Sequence, residues 1–488
     1  MNKGLLVAVV FLAASCLPGV CALGETTEDL FTQAVTAERL GNLDAAVELF
    51  TLAAQQEPDN PVIYNNRGVV YARKKSYTEA IEDFSHALSL NPDNAGTYNN
   101  RGMAYQRVGD IESARRDYTR ALQLNPGHVP ALYNRASLAA KNGRPEEALQ
   151  DVKRILELDR DNARAYLLLA KLYLAAGEPD RALKAFDKAL REDPENDAAL
   201  KGMGDARFLK KDFKKAVENY TRALKEGNRE AHTFANRCSA YIRLEEFEKA
   251  VRDCREALKI DSELSDAYFN LGIAQAAQGR NREAVEAFTL AIAKSPDKPD
   301  YYYNRGTSFQ KLGDREKALA DFVKTLQLDP RHADALNNRG TILWTRNNAE
   351  GAINDFRQAV RIDKGHLLAH KNLGAACLAQ GRPDEAIEAL ERALDIDSRD
   401  PEILAALGDA WMQKEQWKKA LSFFDKALRR SSSREQRSSI LAREGLAWEK
   451  SGNRHRALRS YERALDAAPE PELHDALAGK IAELKSRR

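Results

Sequence analysis

An all-α solenoid of stacked helix pairs is the fold class that this 488-residue sequence predicts, and three observations predict it. The segment Tyr64-Asn65-Asn66-Arg67-Gly68 returns 34 residues later as Tyr98-Asn99-Asn100-Arg101-Gly102. Alanine recurs at the same 34-residue step from Ala46 through Ala80 and Ala114 to Ala420, and a thirteenth, Ala457, follows after 37. No stretch longer than a turn separates one period from the next, so one repeated unit fills nearly the whole chain. A unit this short is a single supersecondary element that cannot bury its apolar face without a neighbouring unit.

Composition bounds the function classes. Lysine and arginine number 75 against 73 aspartates and glutamates, a formal net charge of +2. That balance supplies no overall field for nucleic acid or an anionic bilayer. Apolar residues make up 43% and charged residues 30%, enough for a large core and unlike a disordered acidic or basic tail. The mean hydropathy of −0.56 excludes a multispanning membrane protein. Five cysteines in a chain this long exclude a disulfide scaffold.

The elements follow in chain order. Lys3 precedes an apolar run over residues 5–14, too short to span a bilayer and the length of a signal-peptide core. Small residues in Val20-Cys21-Ala22 place cleavage after Ala22, so residues 1–22 read as an export signal. Leu12-Ala13-Ala14-Ser15-Cys16 offers a second reading, a permissive lipobox that would place a lipid anchor on Cys16. A third is an uncleaved N-terminal anchor. On the first two readings the chain is exported, and on the second Cys16 is its one membrane contact. Residues 27–432 then hold twelve contiguous repeats of 34 residues, and residues 433–470 hold the thirteenth. Its extra three residues fall in the Ser/Arg stretch 431–439, read as a flexible joint. Residues 471–488 read as a capping helix and basic tail whose charged face seals the last repeat.

Within each repeat, position 20 is alanine in all thirteen, and position 27 is alanine in all but Ile155 and Thr325. Position 8 is small and position 24 is aromatic in ten repeats, among them Phe50, Phe84, Tyr118 and Phe424. Small residues let the paired helices cross closely, and the aromatic is expected to fill the gap towards the next repeat. Glycines such as Gly109, Gly177 and Gly313 sit where the first helix needs a left-handed cap. This pattern resembles the tetratricopeptide repeat over roughly residues 27–470. The resemblance implies a right-handed superhelix of thirteen helix-turn-helix repeats. It also implies a concave groove lined by positions 2, 5, 6, 9, 12 and 13 of each first helix.

Two residue sets stand out in that frame. Position 7 is arginine in six repeats, at Arg67, Arg101, Arg135, Arg237, Arg305 and Arg339. Position 23 of the same six is Asp83, Asp117, Asp151, Asp253, Asp321 and Asp355, and neither residue occurs at its position elsewhere. Three of the seven repeats without the pair use Leu and Ala instead, at Leu169 and Ala185, Leu271 and Ala287, and Leu373 and Ala389. A largely buried Arg–Asp bridge within the repeat is expected, structural rather than functional. Position 6 is asparagine in eight repeats: Asn66, Asn100, Asn134, Asn236, Asn270, Asn304, Asn338 and Asn372. An amide offers the donor and the acceptor that an extended peptide backbone needs. The set is similar to the asparagine ladder in the repeat half of O-GlcNAc transferases, whose catalytic half has no counterpart here. The alternative is a solvated face on which asparagines pair between neighbouring repeats. Position 13 adds the cations Arg73, Arg107, Lys141, Arg243 and Lys311. The two best stretches are residues 66–141 and 236–372, with Leu168 and Gly202 interrupting the ladder between them.

The carboxylate clamp of chaperone-binding repeats is incomplete, since Lys201 meets Asp205 and Lys371 meets Ala375. His366 and His370 lack a third metal ligand and a HExxH pattern, which favours packing over a metal site. Cys238 and Cys254 hold positions 8 and 24 of one repeat, and two buried thiols are favoured there over a disulfide. No nucleophile elbow, P-loop or GxGxxG motif is present, so neither catalysis nor a cofactor is expected. The reading is an exported scaffold or adaptor for proteins or peptides, in the periplasm or at the outer membrane if the source is bacterial. Its alternatives are an assembly or secretion component that oligomerises through its edges or convex face, and a regulatory subunit of a cell-envelope enzyme.

Overall fold

Apolar residues spaced three and four apart, flanked by asparagine or aspartate caps, direct this chain into short amphipathic helices. The computed structural model describes residues 26–468 and 471–486, and the expected export signal with its Cys16 alternative lies outside them. The described residues form twenty-seven α-helices and no strand. They alternate as first and second helices of thirteen repeats, and a last helix, Pro471–Ser486, follows. Contacts divide the chain into two units, residues 1–229 and 230–488. The first holds repeats 1–6, the second repeats 7–13 and the last helix.

Inside each repeat the packing rule is spatial economy at two points. All thirteen position-20 alanines are fully buried, with no exposed surface. Position 8 is glycine in nine repeats because the position-24 side chain of the same repeat lies against it. A Cβ on Gly408 would come within 2.4 Å of Phe424, and one on Gly102 within 2.8 Å of Tyr118. The aromatic therefore closes its own helix pair, where the sequence suggested a filler between repeats. Gly202 is a partial exception, since its Cβ would meet Phe186 of the preceding repeat at 2.3 Å.

The turn between the two helices is left-handed at position 15 in all thirteen repeats. Eight of those positions are glycine, but Lys75, Lys211, Glu245, Asn347 and Glu415 adopt the same conformation, with φ between 56° and 65°. A side chain there costs roughly 1–2 kcal/mol, which the packed helices on either side impose. Successive repeats are further joined at the surface. A basic residue near the end of one first helix reaches the acid at position 18 of the preceding repeat. Examples are Lys74 with Asp44, Lys210 with Asp180 and Lys414 with Asp384. Each such exposed bridge is worth at most about 1 kcal/mol.

Three features depart from expectation. Residues 434–439 are helical, so the three-residue insertion lengthens the first helix of repeat 13 to Arg434–Lys450, seventeen residues against thirteen in most repeats. Ser433 caps it by accepting from Gln436 N at 3.1 Å, and the strong helix formers that follow extend it. The last helix seals repeat 13 with an apolar face, burying Leu477, Ile481 and Leu484 against Leu441 and Tyr461, while Lys480 and Lys485 pair with Glu449 and Glu462 at its rim. Cys238 and Cys254 are joined in a disulfide rather than standing as two thiols. In repeat 7 they replace the glycine and aromatic of positions 8 and 24, and that close approach sets their Cα atoms 5.5 Å apart, within bridging range. Cys377 stays a buried thiol, its pKa pushed up to about 11 by burial.

The disulfide spans 16 residues and closes the first repeat of the second unit. Replacing both cysteines with alanine should lower the unfolding free energy of that unit by about 3 kcal/mol, the loop-closure value for a ring of this size. Denaturant unfolding of the oxidised chain beside the double variant measures it, and equal midpoints would contradict the bridge.

Candidate functional site

The Arg–Asp pairs are present in all six repeats and have one geometry. Each guanidinium donates through Nε and Nη2 to the two carboxylate oxygens, at 2.6–2.9 Å. The aspartates are buried, with 3–9% of the side chain exposed, but the arginines keep 15–26%. The pair is largely buried, with the residual exposure on the guanidinium side. The guanidinium reaches the seam between repeats, and there it finds a third partner that sequence reasoning overlooked. Nη1 of Arg67, Arg101, Arg135 and Arg305 donates to Thr51, Ser85, Thr119 and Thr289 of the preceding repeat, at 3.0–3.3 Å. The signal was available. Position 25 is serine or threonine in five repeats, the fifth holding Thr221, and each of them precedes an arginine repeat. Val323 stands at that place before Arg339, whose side chain is the most exposed of the six. Aromatic rings flank several guanidiniums, as Tyr98 and Tyr105 do Arg101, with centroids 5.5 and 5.8 Å away. These contacts make the triad a latch within and between repeats.

The eight position-6 asparagines are all half-buried on the first helices. Asn100, Asn134 and Asn372 donate to Asn65, Asn99 and Asn337 of the preceding first helix at 3.3, 2.9 and 2.8 Å, and Asn270 donates to Ser239 at 2.8 Å. Asn66 and Asn304 turn back to Val62 O and Asp300 O of their own helices, and Asn338 accepts from Asn337 at 3.3 Å. Pairing between neighbouring repeats is thus a real part of what these residues do. In six of the eight, Nδ2 makes a single bond, so its second hydrogen and Oδ1 face outward with no partner among the described residues. Of the position-13 cations, Arg107, Lys141, Arg243 and Lys311 are exposed, and Arg73 pairs with Glu38 at 2.7 Å. Both histidines flagged in the sequence have structural partners. His366 caps its helix by accepting from Ala369 N at 3.2 Å, and buried His370 contacts Lys364 O at 3.2 Å.

A groove of about 1060 Å³ begins at the end of the second stretch that the sequence favoured and lies mostly beyond it. The first helices of repeats 11, 12 and 13 (Leu367–Ala379, Pro401–Gln413 and Arg434–Lys450) form its walls. Small side chains leave its floor open: Ala406 stands where eight repeats place asparagine, Ala379 where five place the position-13 cation, and Ala375 lies beside them. The extra turn of repeat 13 brings Ser433, Glu435 and Gln436 into the lining. Asp400 caps the repeat-12 helix and holds Lys371 Nζ at 2.8 Å, with Glu402 at 3.1 Å on the same ammonium. Asp409 on the floor accepts from Arg443 Nη1 at 2.9 Å. Burial nevertheless raises its carboxyl to about 6, with Arg443 opposing the shift. The sequence signals for this groove were the insertion and the local run of alanines. Among the described residues no three metal-ligating side chains converge, and no helix is long and apolar enough to cross a membrane.

The latch is testable at repeat 9. Arg305→Leu strands the buried carboxylate of Asp321 and should cost about 3 kcal/mol, whereas Asp321→Ala leaves an arginine that still reaches water and Thr289 and should cost nearer 2 kcal/mol. The double variant should cost far less than the two losses combined, because other repeats use leucine and alanine there. Denaturant unfolding of the four proteins gives the coupling, and additive losses would refute the pairing.

Comparisons with known proteins agree with this architecture. Tetratricopeptide repeat models match residues 139–201, 173–238 and 378–443, residues 99–163, 303–366 and 343–401, and residues 59–126. A further TPR repeat model matches residues 239–279 and 274–313, so that the matches run without a gap from 59 to 443. No curated protein matches. Among solved structures, YrrB, described as a TPR protein with an unusual peptide-binding site, is 28% identical. The match covers 39% of this chain and 97% of YrrB, with a TM-score of 0.36. A tetratricopeptide repeat protein from Parabacteroides merdae is 26% identical over 51% of this chain and 98% of its own, with a TM-score of 0.42. The Cut9-Hcn1 hetero-tetramer of APC/C matches at 15% identity over 94% of this chain and 96% of that chain, with a TM-score of 0.40. The chain belongs to the tetratricopeptide repeat family, as a protein-interaction scaffold of thirteen repeats.

Proposed function

We propose that this protein is an exported, non-catalytic adaptor that holds extended segments of other proteins on the face of its first helices. The observation that carries the reading is the asparagine series. Eight amides occupy one position at repeat spacing, and six of them present an outward donor and acceptor after their own bonds are counted. Those two groups match the carbonyl and amide of a peptide backbone, and a series of them grips a chain without reading its side chains. Arg107, Lys141, Arg243 and Lys311 add exposed positive charge beside the amides. The asparagine bonds between repeats support the same role, since they fix amide orientation before a ligand arrives and lower the ordering cost of binding. Export rests on the apolar run at residues 5–14, and the disulfide in repeat 7 suits an oxidising compartment such as the periplasm.

A pull-down from extract of the source organism tests the reading, with the variant Asn66, Asn100, Asn304 and Asn338 to Ala beside the wild type. A partner captured by the wild type should be reduced at least tenfold on a variant that keeps its helical spectrum and melting midpoint. Equal capture by both would place recognition on an edge or on the second helices and favour an assembly role.

A further inference from the structure

The groove of repeats 11–13 differs in chemistry from the asparagine series, and three features define it. The insertion in repeat 13 adds a helical turn, and residues of that turn, Glu435 and Gln436, line the groove. Alanines leave the floor open, while Leu378, Met412 and Leu446 supply apolar walls. Asp409 sits between them with its charge incompletely answered. One of its oxygens holds Arg443 Nη1 at 2.9 Å, and the other has no partner among the described residues. About 30% of its side chain is exposed, so the unanswered oxygen is open to a ligand.

We propose that this groove is a separate site for a partner segment that carries a lysine or arginine between apolar residues, with Asp409 receiving the cation. The inference rests on the reading that first-helix faces take peptide segments, and it assigns repeats 11–13 their own specificity. The other charged groups in the lining are Lys371, Glu402, Glu435, Arg443 and Lys450. Lys371 is already held by Asp400 and Glu402, and Arg443 by Asp409. Lys450 has no partner among the described residues but is exposed to solvent, so at Asp409 itself an incoming carboxylate would have to displace Asp409 from Arg443, whereas an incoming cation adds a bond to an oxygen that lacks one. Burial pushes the Asp409 carboxyl up to about 6 against the pull of Arg443, and a second cation beside it would favour the charged form. The apolar stem of lysine or arginine would lie along the alanine floor, its head at Asp409. Pockets of this volume sit at the upper end of the usual range for bound ligands, ample for several residues of a peptide.

Ionisation of Asp409 sets the pH response. At pH 7.5 the carboxylate is charged and ready for a cation. At pH 5, one unit below a pKa of about 6, roughly a tenth stays ionised, and affinity should fall about tenfold.

The test uses the full chain and capped nine-residue peptides of leucine and alanine with a single central residue, Lys, Arg, Gln, Glu or Leu, followed by fluorescence anisotropy. The Lys and Arg peptides should bind at pH 7.5 at least tenfold more tightly than the Gln and Leu peptides. Asp409→Asn should remove that preference and the loss of affinity at pH 5. Ala375→Trp, a substitution on the exposed floor that leaves Asp409 in place, should block all binding, and melting curves of both variants establish that they fold. Strongest binding by the Glu peptide would overturn the proposal in favour of an acidic segment. So would the absence of binding by every peptide, or binding indifferent to Asp409→Asn. The asparagine variant separates the two readings. If it loses the Lys peptide while Asp409→Asn keeps it, the site inference fails and the amide-series reading stands.

Discussion

The close approach of two helices across small residues is the constraint on which the rest of this molecule depends. Buried alanine at position 20 and glycine at position 8 let the helices touch, and the position-24 ring lies flat on the glycine. A methyl group at Gly408 or Gly102 would enter the ring carbon's contact shell, so the spacing of each pair is set to within a fraction of an ångström. Everything else inherits that spacing. It places positions 8 and 24 of repeat 7 within disulfide range, holds position 15 left-handed even when a lysine or glutamate stands there, and points position 7 of one helix at position 23 of the other.

Stacking is then secured by polar contacts whose value lies in direction more than in energy. The arginine latch joins two helices of one repeat and a hydroxyl of the repeat before it. Since a leucine–alanine pair serves the same position elsewhere, the ion pair is not required for folding. Its planar fork fixes the angle at which one repeat meets the next, which apolar contacts alone specify less sharply. The asparagine bonds between first helices act in the same way at the surface.

Much of this was legible in the sequence because repetition turns one weak signal into thirteen. The helix pairs, the position-20 alanine and the Arg–Asp coincidence could all be read from register. What escaped was whatever occurs once or crosses a seam. The hydroxyls at Thr51, Ser85 and Thr289 belong to a different repeat from their arginines, and a reading confined to single repeats does not join them. The insertion before repeat 13 was read as a joint because serine and arginine are common in loops. In the structure Ser433 serves as a cap, and the residues after it continue the helix. The cysteine pair was judged by prevalence, whereas the answer lay in the Cα separation that positions 8 and 24 impose. The groove of repeats 11–13 follows from these one-off features, so the repeat pattern, which directs attention to what is shared, passed over it.

The functional account makes the first helices the recognition surface and the second helices the outer support. Backbone hydrogen exchange of the full chain with and without its captured partner tests that claim most directly. The account predicts slowed exchange in first helices of repeats 2–4, 7–11 or 11–13, with second helices of the same repeats unchanged. Slowing confined to second helices, or to the end faces of the array, would contradict it.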